Sequence, residues 1–230
     1  MKQKLLLLIS FVFVYVASWS QLAAGDKLIG PSFNLYTSKT ETIPVPNYTN
    51  NSILGLGIGM NLIKMRTATD GFGVGIKYNY NEAKFTGITP GDYAKQHSNA
   101  FYLNLYKRKY IPLHAKWSLF YDVGLSGGLN VNNYSQAGAY VNYYQYGKIQ
   151  GYTIGAFAYP GIAYFIKKNF LADISLSNFL TATFSHQQTD YISGPNPRGV
   201  DKTDAFSFNS TVIGNNFINN MTINFRWILK

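Results

Sequence analysis

Histidine and serine stand side by side twice in this 230-residue chain, as His97-Ser98 and as Ser185-His186, with His114 the third histidine. An imidazole within hydrogen-bond reach of a hydroxyl is the start of an activated nucleophile. Neighbouring residues of an extended strand point to opposite faces, so neither pair meets inside a regular strand. His114 falls in an expected short turn. No His, Asp or Glu cluster shows metal-ligand spacing, and the absence of cysteine removes thiolate metal sites, disulfides and cysteine nucleophiles. Gly55, Gly57 and Gly59 have no helix after them to present a phosphate site, and suit close packing on a strand. No catalytic, cofactor-binding or metal-binding residue is therefore assigned. The expectation is a protein that is not an enzyme and needs no cofactor.

The remaining polar chemistry is a set of charged and amide residues at even spacing within apolar segments: Lys77, Asn104, Arg108, Asp122, Asp173 and Arg226. The segments around them alternate with period two. In Phe72 to Asn81 one face carries Phe72, Val74, Ile76, Tyr78 and Tyr80, and the other Gly73, Gly75, Lys77, Asn79 and Asn81. In Trp117 to Val131 the apolar face is Trp117, Leu119, Tyr121, Val123, Leu125, Leu129 and Val131. Its opposite face carries Ser118, Phe120, Asp122, Gly124, Ser126, Gly128 and Asn130. Phe101, Leu103 and Leu105 oppose Tyr102, Asn104, Tyr106 and Arg108, while Ile223, Phe225 and Trp227 oppose Thr222, Asn224 and Arg226. Such alternation marks strands with two unlike faces. The polar faces are Gly, Ser and Asn with single charges, without the dense Lys and Glu of a solvated sheet. The apolar faces end in Tyr or Trp, as the lipid-facing side of a transmembrane strand does.

Eight segments follow, at 27–39, 52–64, 72–86, 98–110, 116–131, 149–165, 169–185 and 211–228. Long linkers at 40–51, 87–97, 132–148 and 186–210 alternate with short ones at 65–71, 111–115 and 166–168, the spacing of outer loops and inner turns. Composition agrees: 47% hydrophobic and 17% aromatic residues with only 13% charged exclude a disordered chain. The net charge of +10 is dispersed, with no basic helix or stacking motif, which argues against nucleic acid. Residues 1–20 read as a signal peptide: Lys2 and Lys4, an uncharged run from Leu5 to Val16, and small residues before Gln21. That run is too short for a spanning helix, which needs ~20 residues. Residues 21–230 then form one all-β domain, an eight-stranded antiparallel transmembrane β-barrel of up-and-down meander topology.

The chain resembles the small eight-stranded outer-membrane β-barrel proteins of Gram-negative bacteria, the porin-like type of the Bacteroidota. The resemblance lies in the Ser20-Gln21 junction, in Tyr106-Lys107-Arg108-Lys109-Tyr110, and in Pro160-Gly161-Ile162-Ala163-Tyr164-Phe165 before Lys167-Lys168-Asn169-Phe170. The last strand, Ile223-Asn224-Phe225-Arg226-Trp227, adds to it. It implies the fold, a cell outer-membrane location and handling by the barrel-assembly machinery, with Trp227 as the terminal aromatic, and it implies no activity.

An eight-stranded barrel has an interior that side chains fill. Lys77, Asn104, Arg108, Asp122, Asp173 and Arg226 are expected to point inward, either as a structural polar network or as the lining of a narrow ion path. Lys39, Lys84, Lys95, Lys148, Arg198 and Lys202, at the outer strand ends, are candidates for contact with outer-membrane lipid and anionic lipopolysaccharide. Tyr134, Tyr140, Tyr143, Tyr144 and Tyr146, in the linker at 132–148, are candidates for an unidentified extracellular partner, since Tyr with Ser, Gly and Asn builds adaptable recognition surfaces. The alternative is that they extend two strands as an aromatic belt. The protein is expected to act as a monomer with structural or interaction roles. Two other classes stay open: a membrane-embedded hydrolase of lipid A or phospholipid, and a soluble lipocalin-like carrier with its apolar face turned inward.

Overall fold

Tyr, Phe, Ile, Val and Thr alternating with Gly, Ser and Asn favour extended backbone, and the chain obeys that preference nearly throughout. The computed structural model describes residues 22–45, 48–87, 93–138, 143–177, 179–193, 196–210 and 221–230. The leader expected at 1–20 lies outside them. Ten strands are present among the described residues: β1 (Lys27–Val45), β2 (Tyr48–Met65), β3 (Asp70–Gly87), β4 (Tyr93–His114), β5 (Trp117–Gly138), β6 (Tyr143–Lys167), β7 (Phe170–Leu176), β8 (Leu180–Ser193), β9 (Asn196–Ser210) and β10 (Met221–Leu229). They form one antiparallel sheet. β1 to β7 pair in sequence, β7 pairs with β10 and β10 returns to β1, so the backbone ladders run around a ring of eight strands. β8 pairs with the first part of β6, from Gln145 to Ala158, and carries β9 on its other edge.

This differs from the eight segments read from the residue pattern. The segment expected at 169–185 is interrupted, because β7 ends at Leu176 and β8 begins at Leu180. There the Ser177 hydroxyl bonds the Thr222 hydroxyl of β10, and the ladder on β6 passes from β7 to β8. The stretch 186–210, expected as a loop, holds the rest of β8 and all of β9, while the last segment, expected from 211, is β10 from Met221. The linkers expected at 40–51, 87–97 and 132–148 are also largely strand. Their sequence, rich in Thr, Tyr, Asn and Gln, carries a weak apolar signal. Ladder hydrogen bonds nonetheless extend each hairpin past the apolar region.

Strand parity sorts side chains into two unlike faces, and the polarity is the reverse of a water-soluble sandwich. The face outside the ring shows Leu35 at 64% exposure, Ile76 at 61%, Phe101 at 64%, Leu125 at 62% and Leu129 at 67%, whereas inside Arg108, Asp173 and Arg226 are 1% exposed. On β2 the exposed row Leu54, Leu56, Ile58, Met60 and Leu62 spans nine residues, close to the ~9–11 a tilted strand needs to cross a bilayer.

At the short-turn end the interior is apolar. Leu22, Leu28, Ile63, Met65, Tyr110, Phe120, Phe165, Leu171 and Ile228 pack into one buried cluster. The chain before β1 folds under that end, with the Gly25 amide donating to Met65 O and the Met65 amide to Asp26 O. Gly25 has φ +97°, a conformation that favours glycine. Further in, aromatic rings lie flat over glycines of the neighbouring strand. Tyr106 covers Gly73, opposite it on the β3–β4 ladder.

A Cβ at Gly73 would stand 2.3 Å from Tyr106 Cζ, whereas one at Gly127 meets nothing within 4 Å. Gly73→Ala is therefore expected to lose about 1–3 kcal/mol of folding stability by overpacking, and Gly127→Ala about 0.5 kcal/mol or less. Urea titration of the detergent-folded protein, followed by tryptophan fluorescence, checks the contrast.

Candidate functional site: a buried charge network and the cavity above it

Antiparallel pairing sets Arg108 of β4 directly opposite Asp122 of β5. The guanidinium donates to both carboxylate oxygens, Nε to Oδ1 at 2.6 Å and Nη2 to Oδ2 at 2.6 Å. Its Nη1 crosses the interior and donates to Asp173 Oδ2 of β7 at 2.8 Å. Asp173 lies opposite Asn224 of β10 and accepts from Asn224 Nδ2 at 2.6 Å and from Arg226 Nε at 2.5 Å. Arg108 also lies 3.8 Å above the Phe120 ring and bonds the Tyr110 hydroxyl at 3.3 Å.

Burying an isolated ion costs several kcal/mol even after relaxation, and the cost is met only by close pairing with hydrogen bonds to the remaining sites. Here two guanidiniums meet two carboxylates, a neutral quartet. The exception to its saturation is Arg226 Nη1, which is buried and bonds nothing among the described residues.

On the side away from the apolar cluster the quartet forms the floor of a cavity of about 70 Å³. Its polar lining includes Ser32, Asn61, Lys77, Asn104, Thr222 and Asn224. Lys77 and Asn104, the other two residues expected to point inward, thus stand over the quartet and outside its bonds. Asn224, Tyr110 and Phe120 were not singled out in the sequence. Their signal was there, since each shares a face with Arg226, Arg108 or Asp122 two positions away.

The histidines are placed elsewhere. His97 Nδ1 lies 3.0 Å from the Tyr80 hydroxyl, which also donates to Glu82 at 3.0 Å. His186 Nδ1 lies 2.7 Å from Asp204 Oδ1, with its ring stacked on Tyr152. Each is turned from its adjacent serine by strand parity. His114 ends β4 beside the turn. Among the described residues no group of three or more His, Cys, Asp or Glu could hold a metal ion.

The tyrosines of 132–148 do not form one loop. Tyr134 is in β5, opposite Gly147 and lying over it, and Tyr146 is in β6 at 44% exposure. Tyr143 and Tyr144 begin β6, and Tyr140 lies outside the described residues.

No family model matches the chain, and no curated protein does. Similar solved structures include a major outer membrane protein from Thermus thermophilus, with 6% identity over 89% of this chain and 99% of that one at a TM-score of 0.47. The outer membrane protein OprG from Pseudomonas aeruginosa has 11% identity, covering 92% and 99%, at 0.42. The ferric yersiniabactin uptake receptor FyuA from Yersinia pestis has 9% identity, covering 80% and 31%, at 0.41.

Asp173 accepts from two cations and an amide, so Asp173→Asn leaves both guanidiniums short of charge. It is expected to lower folding stability by about 3–5 kcal/mol, while Asp173→Leu combined with Arg226→Met costs less than the sum of the single changes. A double-mutant cycle of urea midpoints measures the coupling.

Proposed function

We propose that this chain is a non-enzymatic integral outer-membrane protein, an eight-stranded antiparallel transmembrane β-barrel with a packed polar lumen. In this reading β7 with β8, and β9 with β10, each count as one interrupted transmembrane strand of the meander. Residues 1–20 direct export, and the barrel-assembly machinery inserts the monomer. The loop end serves structural or interaction roles towards an unidentified extracellular partner.

The observation that carries the reading is the inverted polarity: a continuous exposed belt of large apolar residues around a ring whose interior holds the charges. In water such a belt would drive aggregation, and in a bilayer it is the required solvent. A lipocalin-like carrier needs the opposite arrangement, with an apolar cavity inside. A lipid hydrolase needs a hydroxyl nucleophile against its imidazole, and His186 is bonded to Asp204.

The ends of the belt support the same setting. At the turn end, exposed Lys27, Lys64, Lys107, Lys109, Lys116 and Lys167 stand near Trp117, Tyr164 and Trp227, the mixture of cations and amphipathic rings that suits lipid headgroups. At the loop end Lys84, Lys95, Lys148 and Lys202 lie in strands, and Lys84 Nζ is held at 2.7 Å by Glu82. With Lys39 and Arg198 these residues remain the proposed contacts for anionic lipopolysaccharide.

Two measurements test the proposal. Membrane-extracted protein is expected to fractionate with the outer membrane and to migrate faster unheated than boiled on a detergent gel; a soluble protein without a shift overturns the reading. Leu125→Arg, in the middle of the belt, is expected to cost about 2–4 kcal/mol in a lipid bilayer, whereas an exposed position in a soluble protein would change by about 0.5 kcal/mol or less.

A further inference from the structure

Among the described residues of the quartet and of the cavity above it, one cation is left over. Arg108 and Arg226 are matched by Asp122 and Asp173, and the cavity above them has no other carboxylate in its lining. Lys77 faces this space from β3, its stem passing over Gly57 of β2, and bonds no acceptor among the described residues. Arg226, whose buried Nη1 has no partner among the described residues, lines the same cavity.

The cavity is also blind. One inward position nearer the turn end from Arg108, Asp173 and Arg226 stand Tyr110, Leu171 and Ile228, all in the buried apolar cluster. An ion that enters from the loop end meets a neutral quartet backed by hydrocarbon and has no way through. The space of about 70 Å³ exceeds several-fold the ~10–15 Å³ that one water requires. Amide and hydroxyl groups that can donate surround it: Asn61, Asn104, Ser32 and Thr222.

We propose that this cavity is a binding site for a small monovalent inorganic anion of the halide class, held by the Lys77 ammonium and the surrounding donors. A single negative charge cancels the single excess positive one. The quartet supplies the floor and excludes a second anion by leaving no further cation unpaired. The site depends on the interior of the ring alone, so it does not stand or fall with the membrane setting.

The test uses the full folded chain in a neutral detergent, with sodium bromide titrated against sodium sulfate at constant ionic strength. Bromide is expected to raise the thermal unfolding midpoint saturably, as a ligand that binds the folded state does. Lys77→Met, which removes the excess cation, is expected to weaken that response by about tenfold or more in apparent affinity. Asn104→Asp, which supplies an internal counter-charge, is expected to abolish it. A bromide response of equal size in Lys77→Met, or no saturable response in the unaltered protein, overturns the proposal. Should both variants fail to fold, chloride-35 line broadening by the unaltered protein, reversed by bromide, supports the site. Its absence overturns it.

Discussion

The guanidinium of Arg108 ties together two walls of the ring that no backbone ladder joins. Three of its donors are directed at carboxylates, two at Asp122 on the neighbouring strand and one at Asp173 across the interior. Asp173 in turn gathers Asn224 and Arg226, so β4, β5, β7 and β10 converge on one cluster, in which Arg108, Asp173 and Arg226 are at 0–1% side-chain exposure. Such a cluster is stabilising only as a whole, since each member's desolvation is offset by the others. It also favours the closed arrangement: with β10 displaced from β1 and β7, Asp173 would lose both Arg226 and Asn224.

The inversion of polarity follows from the same constraint. A small ring leaves room inside for side chains but not for water in bulk, so beyond the aliphatic cluster at the turn end its inner residues are mainly small, aromatic and lying flat, or charged and mutually paired. Gly73 under Tyr106 and Gly161 under Phe120 are the first solution, and the quartet is the second. Large aliphatic residues fill the interior only at the turn end, and along the rest of the ring they lie on the outside, where the belt of Leu, Ile and Phe is exposed. At the cavity beside Lys77 the filling is incomplete and the charge unbalanced, and both features point to a small mobile counter-ion.

The layers inside the ring give the molecule a direction. Hydrocarbon closes the turn end, ion pairs lie above it, and amides and hydroxyls line the space towards the loop end. Anything that binds inside therefore arrives from the loop side, and the fold is better suited to holding an occupant than to passing one. The long hairpins reach beyond the belt because polar β-formers continue to satisfy their backbone groups along the ladder.

Two-residue periodicity is a property of neighbouring residues, and it is legible in the chain without any fold. Lys77, Arg108, Asp122 and Arg226 each share a strand face with Gly, Asn or Ser, and that is enough to set them apart from the leucines and isoleucines one position away. Register is only partly legible. A turn at 111–115 would set Arg108 opposite Ser118, whereas the turn at Ala115 and Lys116 sets it opposite Asp122. The shift is even, so the face survives and the partner changes. The break between β7 and β8, the strand within 186–210 and the return of β10 to β1 left no local mark, because they depend on how twist and ladder register accumulate around the ring. Residue order alone determined which side chains share a face. The tertiary structure decided that Arg108 reaches Asp173 and that Lys77 has no partner among the described residues, because both rest on distances across the interior that only ring closure sets.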